Sequence, residues 1–549
     1  GVCITMNNLL KRVCVLIYIP VFTLFCFAQE IVLSPREQYY DFLSLDGTVS
    51  REFLNYRTMS DSLWTMTNPD HDIWKHDDTV FTISDTIRAR PYGPYLYTSW
   101  NSSAPYGVND RALWQGKGVN ALFSAGVQLS GYGFSAVLKP DLVFSQNSDF
   151  TIITPAYSAE TYADKAAKWG YYGIPSIDAP QRFGNSMFWD YSWGDSEIRY
   201  SWKSFTIGFG TQSIWLGPAK INPLLHSNNA VPYPKLDIGL RKQQIRFFDR
   251  YFGDLELRSW WGRTEESDFF DSISDNDYNL ITGLSISFAP SFAPDLAFGF
   301  HRTMLSDWED MDYTSILTLL WPLMENSAGK DERDQRASLT VSWMIPRAQA
   351  ELYVEWARND FSPSLDHVIR YPFHTQAYTV GGQKSFTTPF LPNNRHRIIL
   401  EITNIESSRD YIFLWPTTFY AHGIIKQGYT NGGQWIGAGI GTGGNSQYIA
   451  LETFYEKGST RVFFQRVNPD NDYVWFMDFN SSTSERRDYE QKIRVDLSFG
   501  FEGVYFISRN IQMSYGAVVT DSHNYNYETN RSSIHRYNFH VATGLTLSF

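Results

Sequence analysis

Glu355 and Asp360 are the carboxylates that come nearest to a hydrolytic pair. Glycoside hydrolysis needs two carboxyl groups about 5–10 Å apart across the scissile bond. Five residues apart on a strand, these two fall on opposite faces or straddle its end. Asp70-His71-Asp72 with His76-Asp77-Asp78, and the group Asp307, Glu309, Asp310 and Asp312, carry metal-ligand residue types. Neither has a recognised ligand spacing, and solvated acidic turns are the preferred reading of both. His540 lies on the polar side of the last alternating segment, but no Ser/His arrangement selects itself. No Gly-rich phosphate loop follows a strand and opens a helix. The residues therefore assign no catalytic group, no metal and no cofactor, and an enzyme is not expected.

A second group of residues suits sugars. Sugar binding needs flat apolar faces for C–H stacking, beside amides and carboxylates that match hydroxyls. Tyr106, Asn109, Asp110, Trp114 and Trp215 have that chemistry, as do Asn228, Asn229, Trp356, Tyr429 and Asn431. Each also has a structural reading. Trp and Tyr form the interfacial girdles of membrane proteins, and Asn builds turns. A third group is ionic: Glu197, Arg199, Arg336, Glu355, Arg397, Glu401, Arg494 and Asp496, with Glu256, Arg258 and Glu502 beside them.

The elements that must position these groups are strands. From Tyr537 to Phe549 the odd positions are Tyr, Phe, Val, Thr, Leu, Leu and Phe, and the intervening ones are polar or small. Ile493, Val495, Leu497, Phe499 and Phe501 likewise alternate with Lys492, Arg494, Asp496, Ser498, Gly500 and Glu502. Strands put successive side chains on opposite faces, so each such segment has one apolar and one polar face. Gly/Asn/Asp/Ser/Pro clusters such as Asn468-Pro469-Asp470-Asn471 separate them. A soluble sandwich and a transmembrane barrel both give this pattern. Ions of both signs at mid-strand, aromatics near strand ends and the aromatic terminus Leu547-Ser548-Phe549 favour the barrel. Roughly 22–26 residues per strand and connection over about 440 residues give about 16–20 strands, and 18 are expected. Facing each other across a lumen, the ions would form a network that fills the barrel. The alternative is a wide wet pore lined by separately solvated charges.

Composition agrees. The chain has 549 residues, 17% aromatic and only 19% charged, yet its mean hydropathy is −0.32. That combination excludes a helical membrane protein and a disordered chain. A net charge of −12 argues against a general nucleic-acid binder. At the amino end, Met6 is the expected initiator, Lys11 and Arg12 are basic, and an apolar stretch runs from Val13 to Phe27. Cys26-Phe27-Ala28 offers a cleavage site before Gln29, so residues 1–28 read as a secretory signal peptide with upstream residues 1–5. All three cysteines (Cys3, Cys14, Cys26) lie in or before it. Ser34-Pro35-Arg36-Glu37 offers a capped helix start. Further helical stretches are expected at 50–56 and 60–66.

Several motifs resemble one family. Pro105 to Asp110, followed by Leu113 to Asn120, looks like the opening segment of the Wzi capsule-assembly family. Trp215-Leu216-Gly217-Pro218 through Ala230, Tyr353 to Asp360 with Gln376-Ala377-Tyr378, and His422-Gly423 through Gln434 extend the match, with Gly437 to Gly441 beyond. The chain departs at Asn431-Gly432-Gly433, where relatives often carry a His-Arg-containing string, and is identified as a divergent member. The resemblance implies an 18-stranded outer-membrane barrel with a small periplasmic helical bundle. It also implies a lectin-like protein that helps retain or assemble capsular or other surface polysaccharide and is not the export channel.

The reading is an all-β fold: a transmembrane antiparallel β-barrel of about 18 strands with a small N-terminal periplasmic helical segment. Residues 29–90 form that segment and 91–549 the barrel. The expected location is the outer membrane, and the expected partners are surface polysaccharide and outer-membrane lipid, not nucleic acid. A monomer is expected. The alternative function is a porin-like diffusion or carbohydrate-uptake channel.

Overall fold

A computed structural model describes residues 33–547 apart from 62, 76–79, 156–163, 175, 312–332, 360–364, 409–417, 475–491 and 529–533. The signal peptide, Asp312, Asp360, His76-Asp77-Asp78 and the terminal Ser548-Phe549 lie outside the described residues.

The strands run β1 (Arg88–Asn101), β2 (Gly118–Gly131), β3 (Phe134–Leu138 continued by Asp141–Ser145) and β4 (Phe188–Ser192 continued by Glu197–Trp202). β5 (Phe205–Gly210), β6 (Lys235–Phe247), β7 (Arg250–Glu265), β8 (Tyr278–Pro290) and β9 (Leu296–Asp307) follow. Next come β10 (Asp334–Ile345), β11 (Ala350–Asn359), β12 (Gln376–Thr388), β13 (Leu391–Asn404) and β14 (Asn445–Tyr455). β15 (Gly458–Asn468), β16 (Val495–Ser508), β17 (Ile511–His523) and β18 (His535–Leu547) complete the set. Each pairs antiparallel with its sequence neighbour, and β18 pairs back onto β1, with Val541 opposite Trp100 and Leu545 opposite Leu96. The sheet is thus a closed barrel of 18 strands, as expected. Closure is required because lipid cannot satisfy a free strand edge.

One end of the barrel carries tight turns, such as Lys203-Ser204 and Arg509-Asn510, together with both ends of the barrel chain. The other end carries the long connections, among them 102–117, 211–234 and 405–444. Short turns face the periplasm and long loops the cell exterior. Tyr537, Phe539, Val541 and Leu545 point outward and stay exposed, while Asn538, His540 and Thr546 are buried inside. β3 and β4 break at the same level, at Lys139-Pro140 and 193–196. Pro140 has no N–H to continue the ladder.

The interior is not simply polar. Helix α1 (Pro35–Ser44) enters the periplasmic end; Ser34 Oγ accepts from the Glu37 amide at 3.1 Å, and Pro35 opens the helix. Its Tyr39 and Phe42, with Trp74, pack on Phe454, Val504 and Phe506 of the wall. The helices expected at 50–56 and 60–66 do not form. Val49–Arg51 pairs with Trp64–Met66, and Tyr56–Arg57 pairs with Trp215–Leu216. Extended backbone wins there because its hydrogen bonds are met by a partner strand rather than by the next turn of helix. The connection 211–234 descends from the exterior end to meet this segment. Its Ile214, Leu216, Leu224 and Leu225 form an apolar cluster with Tyr56, Trp260, Tyr420 and Tyr429.

Candidate functional site

Inward carboxylates hold the filling in place. Glu256 of β7 accepts from the amides of Leu54, Asn55 and Tyr56 at 2.8, 3.0 and 2.9 Å. Glu401 of β13 accepts from Lys220, Ile221 and Asn222 at 2.7, 3.2 and 2.8 Å. Glu355 of β11 accepts from the Leu224 amide at 2.9 Å. These acids thus bind backbone, not the arginines across the lumen that the sequence suggested. A carboxylate is acceptor-only and strong, which suits it to amides stripped of water.

The remaining ions form several local sets instead of one network. Arg199 bonds Glu197 at 2.7 Å and Asp237 at 2.9 Å, and Asp61 of the N-terminal segment joins Arg241 at 2.5 Å and Arg258. Arg397 pairs with Asp41 at 3.2 Å and with Glu452 at 2.5 Å. Arg51 and Lys220 both bridge Asp41 and Glu351. Burial alone would raise the Asp41 carboxyl, but Lys220, Arg51 and Arg397 outweigh it and hold it far below its usual value. Arg336 pairs with Asp334 at 2.8 Å, and Arg494 with Asp496 at 2.7 Å. The partners Asp41, Arg51 and Asp61 were missed in the sequence because nothing local marks a segment that threads a lumen.

What space remains lies along one wall. Two cavities of about 400 and 220 Å³ share Tyr106, Asp110, Gln115 and Gln465 and lie one above the other against β14–β18 and β1. The lower reaches Gln38 of α1, and the upper reaches Gln434, Asp496 and Thr520 near the loops. Loop 102–117 forms their inner side. It is held by Asn101, whose Nδ2 donates to the Gln115 and Gly116 carbonyls at 3.0 and 3.1 Å. Asn109 donates to Asn229 Oδ1 at 3.1 Å and to the Ile221 carbonyl at 3.0 Å. Arg111 reaches the break in the wall, where it pairs with Asp195 and, at 3.3 Å, with Asp141.

The crevice mixes rings with polar groups. Tyr106 lies against His540 with ring centres 5.1 Å apart, and Tyr95 and Tyr97 line the lower cavity. Arg461 bonds Glu502 at 2.9 Å and Glu452 at 3.3 Å. Burial pushes the Asp110 carboxyl up to about 7, and the Glu502 charge adds to this against a hydrogen bond from Gln115. Asn109 and Ser514 both line the lower cavity, and their side-chain oxygens are buried with no hydrogen-bond partner among the described residues.

The sequence-predicted sugar residues divide. Tyr106, Asn109, Asp110, Trp114 and Asn229 come together on the crevice. Trp215, Asn228, Tyr429 and Asn431 are instead buried in the packed loops. Trp215 Nε1 donates to the Ala219 carbonyl at 2.9 Å, Tyr429 to the Leu225 carbonyl at 2.8 Å, and Asn431 to the Val231 carbonyl at 2.8 Å. The Asn228 carbonyl accepts from the Arg111 amide at 2.9 Å. Trp356 alternates with buried Glu355 and Ala357, so it faces outward, and its Nε1 donates to Gln376 at 3.0 Å. Gly432 and Gly433, at φ +55° and +78°, make the tight turn between Thr430–Asn431 and Gln434–Trp435; such a turn demands left-handed backbone. The crevice residues Arg461, Gln115 and Ser514 were missed. Glu502 and His540 were placed inward by alternation but not assigned to binding.

The family described as capsule assembly protein Wzi matches residues 156–533. No curated protein matches the sequence. Among solved structures, the chain is similar to Escherichia coli Wzi, described as an outer-membrane protein involved in group 1 capsule assembly and a carbohydrate-binding β-barrel. That match has a TM-score of 0.55 at 11% identity and covers 83% of this chain and 85% of that one. A BenF-like porin from Pseudomonas fluorescens gives a TM-score of 0.38 at 10% identity, over 84% of this chain and 99% of its own. Pseudomonas putida OprB gives 0.35 at 9%, over 84% and 94%. The likeness to E. coli Wzi is one of fold. The family match is broader in meaning, since it runs through most of the barrel and through loops 211–234 and 405–444, though not loop 102–117, and by it the chain belongs to the Wzi capsule-assembly family, in the outer membrane.

Proposed function

We propose that this barrel binds capsular or another surface polysaccharide and helps to retain or assemble it at the cell surface, as a monomer and without catalysis. The observation that carries the reading is the filled lumen. The N-terminal segment and loop 211–234 meet inside the barrel and are held there by wall carboxylates. A diffusion channel has no use for such a filling. What is left, a crevice of rings beside amides and carboxylates, suits a hydroxyl-rich chain, and its larger cavity of about 400 Å³ lies in the ~300–1,000 Å³ range of small-ligand sites. Tyr106, Asp110, Gln115, Arg461 and Ser514 line that cavity and supply the ring and the polar groups that sugar hydroxyls need. Glu355, the one acid of the suspected hydrolytic pair among the described residues, already holds the Leu224 amide.

Deletion of the gene is expected to release polysaccharide into the medium while its synthesis continues. Purified barrel is expected to bind the same polysaccharide, at least tenfold more weakly after Tyr106→Ala or Ser514→Val. Unchanged surface retention together with no binding by the purified protein would sink the proposal.

A further inference from the structure

Three donor groups meet on the outer face of the barrel, on the opposite side of the wall from the crevice. Asp521 and His523 lie two residues apart on β17, so they share a face, and His535 of β18 stands directly opposite His523 in the register. The same strands turn Thr520, Ser522 and Asn538 inward. The two imidazoles have ring centres 4.1 Å apart. His535 Nδ1 lies 2.8 and 3.1 Å from the two Asp521 oxygens, and His523 Nε2 lies 3.3 Å from Asp521 Oδ2. All three ligand atoms fall within 4.8 Å of one another.

This spacing is close to that of a coordination shell. Ligands about 2.0–2.1 Å from a tetrahedral ion are separated from each other by about 3.4 Å. The position also suits an ion. Immediately below the trio the outward side chains are apolar, namely Val519, Tyr537, Phe539 and Val541. The donors therefore stand just above the lipid band, with side chains 34%, 25% and 32% exposed for His523, Asp521 and His535. Water and a hydrated cation reach them there.

We propose that Asp521, His523 and His535 form a binding site for a borderline divalent transition-metal ion of the Zn²⁺ or Cu²⁺ class. Two imidazole nitrogens with one carboxylate oxygen is a donor set that such ions prefer to magnesium or calcium, which take oxygen ligands. The remaining coordination position is open to water. Bound there, the ion clips β17 to β18 beneath the loop that joins them, beside the seam where β18 closes onto β1. The sequence hides the site because a loop separates His535 from the other two, and only the hairpin register brings them together.

The test uses untagged, chelator-treated full-length barrel in detergent, titrated with Zn²⁺ and, separately, examined with Cu²⁺ by electron paramagnetic resonance. The expected result is one equivalent of Zn²⁺ and a Cu²⁺ spectrum with hyperfine coupling to two nitrogens. His535→Ala and His523→Gln are expected to weaken Zn²⁺ binding at least tenfold and to remove the coupling, whereas His71→Ala, on the exposed turn Pro69–His71 of the N-terminal segment, changes neither. Heat-modifiable migration on a gel confirms that each variant is folded, and Asp521→Asn serves if one is not. No saturable Zn²⁺ binding, or binding that survives both histidine changes, overturns the proposal and leaves Asp521 only as a hydrogen-bond partner of His535 and an ionic neighbour of His523.

Discussion

At the scale of single residues, the interior depends on acceptors placed against backbone. Glu401 serves three consecutive amides and also accepts from the Tyr353 hydroxyl at 2.7 Å. Removing it strands several buried donors at once, and each such donor costs about 1–3 kcal/mol. Glu401→Ala is therefore expected to lower the unfolding midpoint in urea markedly, by roughly 3 kcal/mol or more; Glu401→Gln, which keeps one acceptor oxygen, loses less. Equal losses in the two variants would mean that the charge, not the acceptor, matters. Asp110 gives a pH prediction. Its carboxyl is raised to about 7 from 3.8, so the folded state holds a proton that the unfolded chain has already released. Its stabilising contribution is whole below pH 4, falls as pH rises through this interval and is gone above about 7. Asp110→Asn removes that dependence. Relative to wild type, the variant should gain stability between pH 4 and pH 8, on the order of 1 kcal/mol for a partly buried group. A difference independent of pH would refute the assignment.

At the scale of elements, alternation made the strands readable, and the helix cap at Ser34-Pro35 was readable too, because both signals are local. The extended pairing of Tyr56–Arg57 with Trp215–Leu216 was not, since neither segment reveals a partner some 160 residues away. For the same reason Trp215, Tyr429 and Asn431 looked like sugar ligands. The residue types that stack on sugars and bind hydroxyls also fill and satisfy a buried loop, and only burial separates the two uses. The loop-102 residues differ from these in that they border open space. The two inserted elements also share ions: Arg51 from the N-terminal segment and Lys220 from loop 211–234 both engage Asp41 and Glu351. Residues in one such set do not act independently. A double-mutant cycle of Arg51→Ala and Lys220→Ala is expected to show a coupling of about 1 kcal/mol or more. Strict additivity would place the two elements in separate, unlinked positions.

At the scale of the whole molecule, closure of the wall and filling of the lumen are separate achievements. The strands close the wall by pairing β18 with β1. Two apolar clusters pack inside the lumen at different levels. One is α1 with Trp74 against Phe454, Val504 and Phe506 at the periplasmic end. The other is loop 211–234 with Tyr56, Trp260, Tyr420 and Tyr429 nearer the exterior. Resistances in series add, so current is governed by whichever cluster remains. The intact barrel in a planar bilayer is expected to show no steady conductance. Replacing residues 213–229 with a short Gly/Ser linker, or cutting the lower cluster with Phe42→Ala and Trp74→Ala, should each leave it nearly closed. Combining the two changes should open a large, steady pore, because an 18-stranded wall without its filling is wide enough to hold water. A large conductance in the unmodified protein, blocked by added polysaccharide, would instead make the crevice a path through the membrane and the channel reading the correct one.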